Sequence, residues 1–328
     1  MAAVSSEKID LLIHGPNKPI VDNGFSDQFV LHHFETTHDL ERLTAEVAAK
    51  IRGMAITYHT VRGDAKMLAR LPRLEIIAAF GVGYDHVDVA WARDHSIMVT
   101  NTPDVLTEEV ADIAMGLLIA TLREFVKADR YLRSGLWQAA QYPLSVGSLR
   151  DRKIGMVGMG RIGQAIARRL DASKVQVVYH SRKPASGVTH KHYADLIEMA
   201  KAVDTLILIV PGGPGTAKMI NAEVMKALGP RGVIINVARG TVMDEQALIA
   251  ALRSGTILAA GLDVFEKEPN VPDELKAMQN VVLLPHIGSA SVVTRNAMDQ
   301  LVVDNLKAWF AGKPPLTPVV ETPTRANS

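Results

Sequence analysis

Four segments of this chain combine residue types and spacings that could do chemistry. The first is Lys153-Ile-Gly-Met-Val-Gly-Met-Gly-Arg-Ile-Gly163, continued by a second apolar run, Val175-Gln-Val-Val-Tyr-His180. It reads as strand, glycine turn, helix and strand. Gly158, Gly160 and Gly163 fill the G-x-G-x-x-G positions of a dinucleotide-binding turn, serving the tight turn, the approach of the backbone to a pyrophosphate, and close helix–strand packing. Arg161 and Ile162 open the helix, where N–H groups and the dipole favour phosphate. The other three segments are Asn236-Val-Ala-Arg-Gly240, Gly261-Leu-Asp-Val-Phe-Glu-Lys-Glu-Pro269 and Leu284-Pro-His-Ile-Gly-Ser-Ala290. Each follows a predicted strand, and each carries one candidate working residue: Arg239, Glu268 and His286. Glu266 competes with Glu268 for its role. His286 is one of eleven histidines and stands out through Pro285 before it and Gly288-Ser289-Ala290 after it.

The end of the second strand sets the expected cofactor. A site for NAD places an acidic residue there to hold the ribose 2′-hydroxyl. This chain has His180, Ser181 and Arg182 instead, followed by Lys183. A guanidinium and a hydroxyl suit a 2′-phosphate, so the expected cofactor is NADP. Charge-assisted hydrogen bonds contribute about 1.5–3 kcal/mol each. At about 1.4 kcal/mol per tenfold change, one or two of them give a ten- to several-hundred-fold preference.

These segments need a scaffold that brings strand ends together. The 328 residues suggest two domains. Ile9–His14, Ile56–Tyr58 and Ile76–Phe80 read as buried parallel strands, with helical patterns at Asp39–Ile51 and Asp64–Arg70. A helix rich in Ala, Leu, Ile and Met is predicted from about Glu108 to Leu132. It has more apolar surface than one sheet face needs, which points to a homodimer through residues 108–132. After the glycine unit, Thr205–Val210, Val233–Val237, Ile257–Leu262 and Val281–Leu284 are strand candidates, separated by helices such as Glu245–Arg253. The alternation predicts an α/β protein of two doubly wound, Rossmann-like domains with parallel sheets and an active site in the cleft between them. Residues 1–104 and 286–328 are expected to form a substrate-binding lid, with the Ser291–Phe310 helix returning to the first domain. Residues 105–285 are expected to bind NADP. The tail from Lys313 reads as loose.

Composition narrows the partners. Apolar residues make up 48% and charged residues 22%, and the formal net charge is +1. That balance gives no reason to expect nucleic acid or an anionic membrane. The chain has no cysteine, which excludes disulfides, thiolate nucleophiles and Cys-ligated metals. No apolar run approaches a membrane span, and Met1–Lys8 lacks an apolar signal core, so a cytoplasmic protein is expected. His190 and His192 form an H-x-H pair without a third ligand, and no metal site is expected. Trp137 and Tyr142 could be core, interface, or reach into a partner's substrate cleft.

Together with Gly81-Val-Gly-Tyr-Asp-His-Val-Asp88 and Asn101-Thr-Pro-Asp-Val-Leu-Thr-Glu-Glu-Val-Ala111, these motifs closely resemble the D-isomer-specific 2-hydroxyacid dehydrogenase family. The resemblance covers most of the chain, with the motifs in order, and is strongest to the NADPH-preferring glyoxylate/hydroxypyruvate reductases. The short stretch after His286 leaves no room for the regulatory domain often found in the phosphoglycerate dehydrogenase branch. The resemblance implies roles that residue chemistry also supports. Arg239 would fork onto the substrate carboxylate and its neighbouring oxygen, which Lys cannot copy. His286 would donate a proton to the keto oxygen as hydride arrives from nicotinamide C4. Glu268 would bond the other imidazole nitrogen, fixing the ring and favouring its protonated form. The N–H groups of Val82 and Gly83 would bind the carboxylate as a small anion nest. Asp263 would hold the nicotinamide amide. Val210 and Pro211 would lie by the adenosine and Thr216 by the phosphates, with Val237, Ala238 and Gly288 completing the cofactor site. The glycine-rich Val210-Pro-Gly-Gly-Pro-Gly-Thr216 departs from the Pro-Leu-Thr-Pro-like loop of many relatives.

The expected activity is therefore NADPH-dependent reduction of glyoxylate and hydroxypyruvate. One rival is a 2-ketogluconate reductase, which would differ in pocket size and polarity near Tyr58, His59 and Thr60. The other is a dinucleotide-sensing binding protein on the same fold. The Arg239, Glu268 and His286 set, without added interaction segments, favours an enzyme.

Overall fold

The computed structural model describes residues 8–58, 61–145 and 147–322. Its strands are β1 (Ile9–His14), β2 (Phe29–Phe34), β3 (Ile51–Ile56), β4 (Ile76–Ala79), β5 (Met98–Thr100), β6 (Lys153–Val157), β7 (Gln176–His180), β8 (Lys191–Tyr193), β9 (Thr205–Leu208), β10 (Val233–Asn236), β11 (Ala259–Leu262) and β12 (Val281–Leu283). They form two sheets, ordered β2-β1-β3-β4-β5 and β12-β11-β10-β9-β6-β7-β8. Every pairing of neighbours in both sheets is parallel. The described residues divide into two compact units. One runs to Leu106 and resumes at Ser291; the other is Thr107–Ala290. The sequence reading puts these boundaries a few residues earlier, after 104 and after 285.

The central strands carry near-continuous apolar runs because helices cover both faces of a parallel sheet. Leu11, Leu12 and Ile13 of β1 and Val233, Ile234 and Ile235 of β10 are all fully buried. Edge strands escape this rule, and two were not predicted. β2 reads Phe-Val-Leu-His-His-Phe and is only half-buried; His32 Nε2 lies 2.7 Å from Asp10 Oδ1 on β1. β8 is three residues long, Lys-His-Tyr, at the far edge of the larger sheet.

Four other expectations need correction. The Asp39–Ile51 helix is instead a 3-10 turn (Asp39–Arg42) and a short helix (Ala45–Ala48). Thr44 restarts the chain there by accepting from Val47 N, and β3 begins at Ile51. The strand expected at Ile56–Tyr58 therefore ends where it was to begin. The Glu108–Leu132 helix is two helices, Thr107–Leu122 and Phe125–Arg133, broken where Glu124 takes a left-handed φ of 53°. Val110, Ala111, Ala114, Leu117 and Leu118 of the first are buried, and it packs on β10, β11 and β12 of its own unit. The surplus apolar surface lies further on, at Phe125, Leu132, Leu136, Trp137 and Leu144, all more than half exposed. The tail is not loose through residue 322. Val319 N donates to Val99 O at 2.9 Å, Thr317 Oγ1 to Asn101 O at 2.6 Å, and Val319 and Thr322 are buried.

The last helix, Val292–Phe310, is capped by Ser291, whose side chain accepts from Thr294 N, and packs on β3 and β4 of its unit. An ion pair is among the polar contacts that hold it. Lys18 Nζ donates to Asp299 Oδ1 at 2.8 Å and sits 3.4 Å from the centroid of the Phe80 ring, which Arg295 also approaches at 5.0 Å. Burial lowers the Lys18 pKa and raises that of Asp299. Both charged forms thus bear a desolvation cost that their pairing offsets. Asp299→Ala should lower the unfolding free energy by about 2–4 kcal/mol by leaving the ammonium partnerless, whereas a Lys18→Met/Asp299→Leu double variant should stay within about 1 kcal/mol of wild type. Urea denaturation checks both; a double variant as weak as the single one would contradict this account.

Candidate active site

The glycine turn joins β6 to the Arg161–Ala172 helix. Gly158 has φ +105°, and a Cβ there would come 2.8 Å from Ile209 O. A Cβ on Gly163 would meet Gly158 O at 2.6 Å, so helix and turn touch backbone to backbone. Gly160 caps the helix, and a Cβ there would meet nothing within 4 Å. The turn is closed on its protein side and open above Gly160, which is the cradle a pyrophosphate requires. Gly158 N also donates to His180 O at 2.9 Å, which ties the end of β7 to the turn. There His180 Nδ1 lies 3.0 Å from Tyr193 O, and Ser181 Oγ donates to Lys183 O at 2.6 Å. These groups, expected to meet a 2′-phosphate, are engaged locally. Arg182 is exposed and forms no ion pair among the described residues.

The remaining loops leave the same, carboxyl, edge of the larger sheet. β6 has β7 on one side and β9 on the other, so the strand order reverses at the glycine turn. Ligands bind at such switch points in open α/β sheets. Val210, Pro211 and Thr216 follow β9, and Thr216 Oγ1 donates back to Pro211 O at 2.7 Å. Val237 and Ala238, both buried, follow β10. A separate recess of about 530 Å³, lined by Lys153, Gln176, His190 and Lys191 among others, opens at the opposite ends of β6–β8 and contains none of the candidate residues.

Arg239 follows β10, held by a buried asparagine. Asn236 Oδ1 accepts from Ala238 N at 3.0 Å, and Asn236 Nδ2 donates to Arg239 O at 3.1 Å. The half-buried Arg239 side chain donates from Nη1 to Ala238 O at 2.9 Å. Glu268 follows β11 and His286 follows β12. Glu268 Oε1 accepts from Phe265 N at 3.0 Å, and His286 Nδ1 lies 2.7 Å from Glu268 Oε2. Glu268, not Glu266, meets His286; Glu266 Oε1 lies 4.0 Å from Lys218 Nζ.

His286 has φ 54°, a left-handed conformation that non-glycine residues seldom adopt and that costs on the order of 1–3 kcal/mol. Asp263 holds it there. Its carbonyl accepts from His286 N at 2.8 Å, and its two carboxylate oxygens accept from Ile287 N at 2.7 Å and Gly288 N at 2.8 Å. A residue expected to contact cofactor therefore braces the histidine turn. Gly240 was also missed. A Cβ there would overlap the Phe265 carbonyl group and the Glu266 nitrogen, so the Arg239 turn and the loop leading to Glu268 are in backbone contact. The only sequence signal was the glycine directly after the arginine.

Val82 and Gly83 belong to the other unit, at the end of β4. Their turn is fixed by Asn101 Nδ2 to Val82 O at 2.8 Å and by Gly81 N to Thr102 Oγ1 at 2.9 Å. Tyr142 packs edge-on against Tyr131, with ring centroids 5.2 Å apart, whereas Trp137 is 63% exposed. His190 pairs with Asp171 at 3.2 Å and His192 Nε2 lies 2.9 Å from Ser181 O; no three-residue metal cluster occurs among the described residues. His59 and Thr60 lie outside the described residues. No described helix is long and apolar enough to cross a membrane.

A glycine cradle at the switch point, with an arginine, a glutamate and a histidine in the loops after three successive strands, is the arrangement expected of a dinucleotide-dependent enzyme. Residues 115–288 match the family D-isomer specific 2-hydroxyacid dehydrogenase, NAD binding domain. The chain is 43% identical over 314 residues to glyoxylate/hydroxypyruvate reductase A of Arabidopsis thaliana, covering 96% of this chain and 100% of the relative. It is 40% identical to 2-ketogluconate reductase of Gluconobacter oxydans, again covering 96% and 100%. The crystal structure of an NADPH-dependent glyoxylate/hydroxypyruvate reductase from Sinorhizobium meliloti, in complex with NADP and malonate, superposes with a TM-score of 0.93. It is 51% identical and the match covers 98% of this chain and 99% of that one. The chain belongs to the D-isomer specific 2-hydroxyacid dehydrogenase family.

Burial is the main influence on Asp263 and holds its carboxyl above its ordinary 3.8, partly offset by the bonds from Ile287 and Gly288. The folded protein therefore keeps this proton to higher pH than the unfolded chain does. Its contribution to stability is present below pH 3.8 and is lost as pH rises through the folded value. Asp263→Asn should remove that decline and, by facing an amide against a backbone N–H, cost about 1–3 kcal/mol. Urea midpoints measured from acid to neutral pH test this; parallel curves for variant and wild type would contradict it.

Proposed function

We propose that this protein reduces small 2-ketoacids, glyoxylate and hydroxypyruvate foremost, to D-2-hydroxyacids with NADPH. The observation that carries the reading is the 2.7 Å contact between His286 Nδ1 and Glu268 Oε2, on a loop in backbone contact with the Arg239 turn. The open face at Gly160 and the exposed Arg182 beside it fit a dinucleotide that bears a 2′-phosphate. Val210, Pro211 and Thr216, after β9, and Val237 and Ala238, after β10, would lie along the cofactor, with Asp263 and Gly288 beyond them in the loops after β11 and β12.

The chemistry that bound NADPH would supply is hydride addition to the keto carbon. Arg239 would fork onto the carboxylate and keto oxygen, and the Val82 and Gly83 N–H groups would bind the carboxylate. As the carbonyl π bond breaks, its oxygen takes a proton from His286 Nε2. Glu268 accepts from Nδ1 and fixes the ring with Nε2 free to face the substrate. Solvent then reprotonates the ring. In this reading the unit with Val82 and Gly83 binds substrate, and Thr107–Ala290 binds NADPH. The exposed apolar residues Phe125, Leu132, Leu136 and Trp137 support a homodimer. A cytoplasmic enzyme drawing on a reduced NADP pool completes the proposal.

Absorbance at the NADPH band with glyoxylate, hydroxypyruvate and 2-ketogluconate is the first test. Oxidation with none of them would favour a cofactor-sensing binding protein, and a preference for 2-ketogluconate would reassign the substrate. Arg239→Lys should lower kcat/KM about 10- to 100-fold, the loss of one charge-assisted bond. Near-normal turnover would remove the role given to Arg239. Arg182→Ala should raise KM for NADPH about tenfold and barely change KM for NADH; equal effects on both would undo the 2′-phosphate assignment.

A further inference from the structure

We infer that Glu245 is a positioning residue for the proton donor, acting through the loop that carries Glu268; the inference rests on the reading of His286 and Glu268 given above. Glu245 opens the Glu245–Ser254 helix, directly after its cap Asp244. It is only 7% exposed, far from the usual condition of a glutamate at a helix start. Its Oε2 accepts from Glu266 N at 3.2 Å. That nitrogen belongs to the peptide that Gly240 touches. The Phe265–Glu266 peptide is therefore held by two groups, the bare Cα of Gly240 and the carboxylate of Glu245.

What the peptide holds in turn is the dyad. Phe265 N, on the same short segment, donates to Glu268 Oε1, and Glu268 Oε2 meets His286 Nδ1. A shift of the 265–266 peptide moves the donor that orients Glu268. Glu268 has two oxygens with two separate tasks, so turning it to follow Phe265 N would withdraw Oε2 from the imidazole. Burial raises the Glu245 pKa, and the bond from Glu266 N offsets part of that cost. The charged groups facing Glu245 are Glu266 and Lys267. Those facing His286 are Glu268 and Asp263. A buried carboxylate kept at a net desolvation cost, where an apolar side chain would fill the space, is accounted for by what it fixes. Lys218 Nζ lies 4.0 Å from the Glu266 carboxylate, and Lys218 N donates to Thr241 O at 2.8 Å, so the loop after β9 borders the same segment.

The test compares wild type with Glu245→Met, which fills the volume but cannot accept, and Glu245→Gln, which restores an acceptor. In histidine-labelled protein without cofactor or substrate, the hydrogen-bonded Nδ1–H resonance of His286, assigned through His286→Asn, should be present in wild type and Glu245→Gln and absent in Glu245→Met. In the ketoacid assay Glu245→Met should lose about 10- to 100-fold in kcat. KM for NADPH should stay within about twofold, since the glycine turn is untouched. Glu245→Ala serves as a second variant where Met fails to fold. An intact Nδ1–H resonance and an unchanged kcat in the acceptor-less variant would overturn the inference even with a lowered Tm, as would a Gln variant as impaired as Met. A wild type that oxidises no NADPH would sink the proposed function, and the resonance would still decide the part played by Glu245.

Discussion

The contact on which the candidate site most depends lies between two backbones. Asn236 of β10 pairs with Leu262 of β11, so the two strands deliver their chains to the sheet edge at the same level. Neighbouring strands run about 4.8 Å apart, and the loops that follow stay almost as close. Gly240 makes this possible, because any side chain there would enter the Phe265–Glu266 peptide. Arg239 sits one residue before the contact and Glu268 a few residues after it. Leu262 in turn pairs with Leu283 of β12, which places the His286 turn next in line. Three residues far apart in sequence thus become neighbours through strand pairing and one missing Cβ.

That closeness has an energetic counterpart. The turn after β12 puts a histidine where a glycine would be comfortable, at a cost on the order of 1–3 kcal/mol. Asp263 answers it with three backbone hydrogen bonds, two of them to its carboxylate. Bonds to a charged acceptor contribute about 1.5–3 kcal/mol each, enough to offset the strain and part of the burial of Asp263. Strain at His286 and burial at Asp263 therefore support one another: the turn needs the carboxylate, and the carboxylate is stable there only because the turn presents two N–H groups. A core packed for stability alone would hold neither.

Much of this was legible because parallel strands buried on both faces read as unbroken apolar runs. β1, β4, β6, β7, β9, β10 and β11 surfaced that way, as did the half-buried edge strand β12 through its Val-Val-Leu-Leu run, and the loops after them carried the glycines and the charged residues. Edge strands obey other rules. In β2 the pair His32 and His33 breaks the apolar run, and β8 is too short to show a period. The break at Glu124 was hidden because Leu122-Arg-Glu-Phe125 has good helix formers on both sides. The grip on the tail was hidden because hydrogen bonds from Thr317 and Val319 to the ends of β5 leave no trace in composition. Gly240 and Glu245 were missed for a related reason: their partners come from another loop, and periodicity along one segment says nothing about what crosses between segments.

The end of β7 shows the same limit, with a consequence for cofactor choice. His180 and Ser181 looked like phosphate ligands, yet each spends its polar group on a nearby carbonyl. Those bonds shape the strand end, which Gly158 N ties to the glycine turn through His180 O. In the proposed site the charge offered to a 2′-phosphate would come from Arg182, with Lys183 next to it, and both are exposed. Contacts between exposed charges are screened by salt over about 8–10 Å and contribute far less than buried ones. Discrimination by attraction alone would be modest at such a site. The stronger term is the absence of a carboxylate, for an acidic residue at this position would both bond the 2′-hydroxyl of NAD and repel the phosphate of NADP. Selectivity in the proposed enzyme thus rests on a charge that is missing as much as on one that is present.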